Sequence, residues 1–551
     1  MMAATEGFLA QQMAEARRAV QLEEGQHLGG LSQGPAALCL AELQTGGWAT
    51  LFHMAFLSLL KEEGLRLQAF HTAGGKLLAG LEGLMTGRPA RMLDAWIYDR
   101  ETLAYLLRKQ SEGCRLASLE GAGGFFDGLS PDEAQRLGTS PVRADRFAPG
   151  SLASLAAQLG LPVILVLPVQ SRPDSLAVQV QGFLQRYGEA GRPGLAGLAL
   201  TEIGDEDFPR YKQDLEAMTG LPVCGYLPPL EDCALPLSLG DLGNPQAAHW
   251  GLLRQALSRL NRAARGRLDT ELLLRLAEGA AIPRAEFPSG LLALQRQTSK
   301  MGTVRLAVAF DEAFAGYNQD NLELLAESGA QLEAFSPLSD SGLPPDCDGL
   351  YLGGAYHVGI LPELSRRQRL GRLLARAAER GLPIYAEAQG SVFLSSSFTL
   401  DGRRYPMSGL LKAESQAVDE PAQPRRRLAR QGGGLQLSLA TDSGLPQGSS
   451  ARDLSAGSYW QPQYCRVDSS LSAMVMEKGD SWPGIGQPGI LAGPAARQFL
   501  CRQAGESFQA GASDARIHAL ALEIPFYAAP DLVARFLDTA SRYQRERRGL
   551  I

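Results

Sequence analysis

Histidine is scarce in this sequence. Six occur among 551 residues, and no two stand at a spacing that suits a metal site. The seven cysteines (Cys39, Cys114, Cys224, Cys233, Cys347, Cys465 and Cys501) form no CxxC pair, and their number is odd. That pattern excludes a thiol-stapled or zinc-ribbon fold and leaves buried thiols in a reducing compartment. An excess of positive charge is also missing. The net charge is −6, which gives nucleic acid no surface to bind. No apolar run approaches the roughly 20 residues of a membrane span. The opening, MMAATEGFLAQQMAEARRAV, carries acids early and has no long apolar core, unlike a signal peptide. The expectation is a cytoplasmic protein that engages neither nucleic acid nor membrane.

What is present is rhythm. Residues 1–34 read as an amphipathic helix and a Gly-rich tether. From 35 to 245, short apolar runs such as AALCLAEL, LRLQAFHT, RLASLEG, PVILVLPV, LAGLALTEI and PVCGYLPPL alternate with helical patterns. Such alternation predicts a parallel sheet covered on both faces. Residues 246–300 read as a helical connector, and 301–551 as a second α/β unit opened by TVRLAVAF. Within it, residues 414–434 are polar and break the pattern, as a loop insertion does. LQLSLATD and IHALALEI read as antiparallel strands, and DLVARFLDTASRYQRERR as a closing helix. No internal repeat is evident.

One stretch has the layout of a nucleophile elbow. In IYAEAQGSVFL, residues 384–394, an apolar strand runs into Glu387 and a tight small-residue turn. The apex is Ala388, which has no reactive atom.

Several motifs, taken in order, resemble the cobyrinic acid a,c-diamide synthases. RLAVAFDEAFAGYNQDNLELLAESGAQLEAFSPLSD, GLYLGGAYHVGILPEL and LPIYAEAQGSVFLSSSFTLDGRRYPMSGLL resemble the triad-type class I glutamine amidotransferase domain of that family. TGRPARMLDAWI and LEGAGGFFDG resemble its ATP-binding domain. The resemblance implies a P-loop NTPase-like (dethiobiotin synthetase-like) parallel-sheet domain, followed by a glutamine amidotransferase-like α/β domain. It implies a reaction in which ATP and glutamine turn two corrin carboxylates into amides.

Each chemical part of that template is altered. The phosphate loop corresponds to AELQTGGWATLF. Gly46 and Gly47 remain and Thr50 offers a hydroxyl, but Trp48 stands where a lysine should reach the phosphates. The indole is expected to crowd the cradle, and a plain strand–turn–helix joint is the simpler account. In HTAGGKLL, His71 takes a lysine position and both carboxylates are gone, with Lys76 a stray cation. Glu120 and Asp127 persist. The resemblance makes Glu120 a Mg²⁺ ligand; the alternative is a capping acid in a Gly-rich turn. At the elbow the family's cysteine is Ala388, and Ser391 nearby is displaced. In HALALEIPF, His518 matches the first histidine of the family's late strand, while Glu523 and Pro525 replace the later two. In SAGSYWQPQ only Tyr459 of the substrate-facing motif is kept.

Nucleophile and base act as a unit, and each contributes orders of magnitude in rate. The expectation is a catalytically degenerate relative, without glutaminase or ATPase activity and requiring no cofactor. It would act as a tetrapyrrole-binding or partner subunit. Asp311, Tyr317, Asn321 and Tyr459 are the candidate macrocycle contacts, with Phe310 and Phe314 as apolar surface. The same residues can instead be scaffold, with Asp311 capping a turn and Asn321 capping the helix NLELLAES. An intact paralogue or a second copy is the candidate partner, docking through 1–34 or 414–434. The alternative is an active ATP- and Mg²⁺-dependent synthase fed by free ammonia or a donor subunit.

Overall fold

The computed structural model describes residues 35–44, 47–72, 82–83, 85–131, 146–188, 194–230, 249–354, 358–400, 402–411, 414–416, 464–469, 481–485, 490–492, 499–503, 506–513, 517–520 and 523–550. The N-terminal extension, Gly46, Lys76, LQLSLATD, Tyr459 and most of the 414–434 insertion lie outside the described residues.

The first unit is a parallel sheet. Its strands are β1 (Ala37–Glu42), β2 (Leu67–His71), β3 (Arg91–Met92), β4 (Leu116–Gly124), β5 (Val163–Pro168), β6 (Leu195–Thr201) and β7 (Val223–Leu227). They lie in the order β3-β2-β4-β1-β5-β6-β7. β1 is buried along its whole length. A strand covered on both faces alternates nothing, which is why ALCLA reads as a continuous apolar run. The helix Trp48–Glu62 follows β1 and packs Phe52 and Phe56 with Leu38 and Leu40. The helices His249–Ala264 and Thr270–Ala277, which fall in the expected connector, place Ala256, Leu260 and Leu273 in the same cluster.

The second unit is built on β8 (Val304–Ala309), β9 (Ala330–Phe335), β10 (Gly349–Leu352) and β11 (Ile384–Glu387). A short sheet joins β12 (Ser397–Leu400), β13 (Arg403–Pro406), β14 (Glu414–Gln416) and β17 (Ile490–Ala492). The main sheet runs β16-β15-β18-β19-β20-β11-β10-β8-β9, with β15 (Tyr464–Ser469), β16 (Ser481–Ile485), β18 (Phe499–Gln503), β19 (Glu506–Ser513) and β20 (Ile517–Leu520). Two sequence expectations are corrected here. Residues 414–416 form β14 rather than opening the loop. IHALALEI is not simply antiparallel: β20 pairs parallel with β11 on one side and antiparallel with β19 on the other.

The two units share buried contacts. Arg91, on β3, donates to Asp320 at 2.9 Å and to Glu323, both on the helix Gln319–Glu327. The Gln110 amide donates to both carboxylates at 3.0 Å. Lys109 pairs with Glu327 and donates to the Tyr527 hydroxyl. Trp96, Tyr98 and Tyr105 belong to the same apolar cluster as Phe526 and Tyr527.

Candidate functional site

The first candidate site lies at the C-terminal ends of β1, β2 and β4, where open parallel sheets place their ligands. β1 ends in Glu42. The chain then turns through Gly47, at φ 77°, into the helix beginning at Trp48. The first amides of a helix have no partner within it and attract an anion. Here that anion is the chain's own. The Glu42 carboxylate accepts hydrogen bonds from the backbone N–H groups of Gly47 at 3.1 Å, Trp48 at 2.9 Å and Ala49 at 3.2 Å.

This corrects the expectation for Trp48. The indole does not crowd the cradle; it is buried in the apolar cluster with Phe52 and Leu51, and Glu42 fills the cradle instead. The joint is a strand–turn–helix, but a charged one. The Thr50 hydroxyl donates to Glu120. Glu120 is not in a turn: it stands within β4, in register with Leu40 of β1 and His71 of β2, and is buried. His71 is buried and its Nδ1 lies 2.9 Å from the Thr72 carbonyl.

One helical turn beyond Thr50, His53 faces two carboxylates. Its Nδ1 lies 3.2 Å from Glu82 Oε1 and 3.7 Å from Glu120 Oε2. All three side chains are buried. Burial works against a charged imidazole, yet Glu120 and Glu82 outweigh it and raise the His53 pKa to about 9. Burial lifts Glu82 to about 7. Sequence reasoning missed Glu42, His53 and Glu82. Glu42 did carry a signal, as a charged residue closing an otherwise apolar strand just before the turn. His53 and Glu82 carried none, since only the fold brings them to Glu120.

The second candidate site is the elbow. β11 leads into Ala388 at φ 45° and ψ −115°, and the helix Gln389–Leu394 follows. A non-glycine residue held there is strained by about 1–3 kcal/mol. The turn is tight: a Cβ added at Gly390 would lie 2.0 Å from the Leu352 carbonyl oxygen. Glu387 is buried beneath the turn and accepts from the hydroxyls of Tyr351 and Tyr385 and from the Ile524 N–H. Ser391 donates to the Ala388 carbonyl at 2.7 Å, so its proton is already committed. His518 lies on β20 opposite Tyr385, with the two rings stacked at 5.2 Å, and burial lowers its pKa to about 3. Glu523 is buried just after β20; burial first, then Glu387 and Glu523, push the Tyr385 pKa well above its ordinary value.

The three described candidate macrocycle contacts, Asp311, Tyr317 and Asn321, are engaged within the scaffold. Asp311 accepts from the N–H groups of Ala313, Phe314 and Leu338 and from the Ser336 hydroxyl. Tyr317 donates to the Ala309 carbonyl and accepts from Gly353 N–H. Asn321 does not cap its helix; Asn318 does, by accepting from Asp320 N–H. Asn321 instead donates to the Ile524 carbonyl and accepts from Phe526 N–H, tying the helix to the chain after β20. Phe314 is core, and Phe310 stacks on Tyr317.

A family model described as a CobB/CobQ-like glutamine amidotransferase domain matches residues 305–432. The chain is similar to the cobyrinate a,c-diamide synthase of Gloeobacter violaceus, at 32% identity over 378 residues, covering 68% of this chain and 77% of the relative. It is 32% identical to that of Synechocystis over 374 residues, covering 68% and 73%. The corresponding enzyme of Dehalococcoides mccartyi is 30% identical over 376 residues, covering 68% and 76%.

Proposed function

This chain belongs to the cobyrinate a,c-diamide synthase family, and from that premise we propose that it is a catalytically silent member. In this reading it is a binding or partner subunit for corrin-type tetrapyrrole chemistry, without glutaminase or ATPase activity. The observation that carries the reading is the Glu42 carboxylate seated on the amides of Gly47, Trp48 and Ala49.

Nucleotide phosphates need those amides and a cation beside them. The amides already donate to a carboxylate, and a second anion at the same place would compete with it, with Trp48 rather than a lysine at the head of the helix. The Thr50 hydroxyl, the remaining feature suited to a nucleotide's Mg²⁺, is directed to Glu120. The residues present therefore do not fit Mg-ATP. At the elbow, Ala388 supplies no nucleophile. His518 is packed neutral against Tyr385, and position 523 holds a carboxylate. An acyl transfer there lacks both the attacking atom and the base that would activate it.

What the family framework leaves is a surface. A degenerate copy keeps the shape its active relatives use to meet one another, which favours an intact paralogue or a second copy as partner. The test is a titration of purified protein with cobyrinic acid, followed by its absorption spectrum, beside an amidation assay with ATP and ammonia. The proposal expects a saturable spectral shift, or co-purification with an intact synthase, and no amide product. ATP-dependent amidation with ammonia would establish the active alternative.

A further inference from the structure

A separate feature of the first unit goes beyond that reading and does not rest on it. His53, Glu82 and Glu120 come from three places in the chain, and each offers one ligand atom, all within 4.8 Å of one another. All three side chains are at most 2% exposed. Apart from the ion-pair approaches of His53 Nδ1 to Glu82 and Glu120, five of their polar atoms are buried with no well-formed hydrogen bond: both imidazole nitrogens of His53, both oxygens of Glu82, and Oε2 of Glu120. An unsatisfied buried polar atom costs about 1–3 kcal/mol, and more when charged. One ligand atom from each of the three residues meets the others here, and such a place is where an ion or water belongs.

We propose that His53, Glu82 and Glu120 bind one divalent transition-metal ion of the zinc, iron(II) or manganese(II) class. The charge balance favours this occupant. Two carboxylates and a neutral imidazole around a dication sum to zero. One nitrogen and two oxygens, with no thiolate, suit a borderline or hard first-row ion. Bond lengths of about 2.0–2.2 Å place neighbouring ligand atoms a little over 3 Å apart, which is the scale of the His53–Glu82 approach. Thr50 supplies the outer support. Its hydroxyl donates to one oxygen of Glu120 and leaves Oε2 turned toward His53. Hydrogen-bonded carboxylates of this kind orient ligands and tune affinity. The resemblance to nucleotide enzymes gives Glu120 a different role, as a ligand of Mg²⁺ held with phosphates. Here the ion would be held by protein side chains and would need no nucleotide.

The test uses the full chain, stripped with chelator and dialysed against Zn²⁺ or Co²⁺, with metal counted by mass spectrometry. The expected result is one ion per chain retained against millimolar Mg²⁺, with ligand-field absorption for Co²⁺. His53→Gln and Glu82→Gln should each weaken retention by more than the about 100-fold typical of losing an outer-shell partner. Sub-stoichiometric binding by the native chain would overturn the proposal, leaving an imidazolium–carboxylate cluster alone. Equal retention by both variants would overturn it too, by placing the ion elsewhere. Should the variants fail to fold, paramagnetic resonance of the Cu²⁺-loaded native chain serves in their place. Coupling to a single imidazole nitrogen supports the site, and its absence contradicts it.

Discussion

Ala388 is the apex of the elbow between β11 and the helix Gln389–Leu394. It keeps the strained φ of an elbow, 45°, with a side chain that gains nothing chemical from it. Glycine enters that region of backbone space freely, though it costs more chain entropy on folding. Ala388→Gly should therefore stabilise the protein by about 1 kcal/mol, read as a higher denaturant midpoint at unchanged slope. Destabilisation would mean that the methyl group is needed for packing. His518 makes a second prediction. Its folded pKa, about 3, lies below its ordinary value of 6.5 because burial disfavours the charged form. The unfolded chain therefore takes up the proton first. The stability that depends on His518 staying neutral is fully present above pH 6.5 and falls as pH drops toward 3, by up to about 1.4 kcal/mol per pH unit. His518→Phe keeps a ring against Tyr385 and should flatten that slope relative to the native chain. An identical pH profile in both proteins would refute the assignment.

Among elements, the cradle and the inter-unit contact behave as units. Removing the Glu42 carboxylate exposes three helix-terminal amides. Glu42→Ala should cost about 2 kcal/mol and make the protein responsive to inorganic phosphate, so that added phosphate raises its Tm. The native chain should show no such rise; if it is protected equally, Glu42 does not hold the cradle. At the contact between units, Arg91 faces Asp320 and Glu323 in the interior. Burial opposes ionisation of Glu323, but Arg91 holds its pKa below the ordinary value. Arg91→Ala strands two buried carboxylates and should cost about 3–5 kcal/mol. Adding Asp320→Asn and Glu323→Gln should recover part of that loss, because the three groups form one network. Additive costs in chemical denaturation would contradict the coupling.

Elements also show what the sequence makes legible. β1 and β5 were readable because full burial leaves an unbroken apolar run. The elbow was readable because a strand, a small-residue turn and a helix follow one another locally. β3 spans two residues, too short for any period. β15 pairs antiparallel with β16 and with β18 across connections that no local pattern announces. The helix at 319 is capped by Asn318, three residues before the expected Asn321, which instead bonds the backbone of Ile524 and Phe526. Glu42 was overlooked although it is local. A glycine turn before a helix suggests an external phosphate, and only coordinates show a carboxylate from the preceding strand already there.

For the whole molecule, the chain has the two α/β units of its family, and the proposed silence concerns the groups those units carry. Both sheets, the elbow and the helix after β1 are in place. At the elbow, Glu387 and Ser391 are hydrogen-bonded to their own scaffold and His518 is packed against Tyr385. No described helix is long and apolar enough to cross a membrane. The most direct test of silence is glutamate release. Homogeneous full-length protein is incubated with glutamine, ATP, Mg²⁺ and cobyrinic acid, and free glutamate is followed over time. The account predicts a rate indistinguishable from a protein-free blank. Sustained glutamate release, beyond one equivalent per chain and matched by amide formation on the corrin, would contradict it.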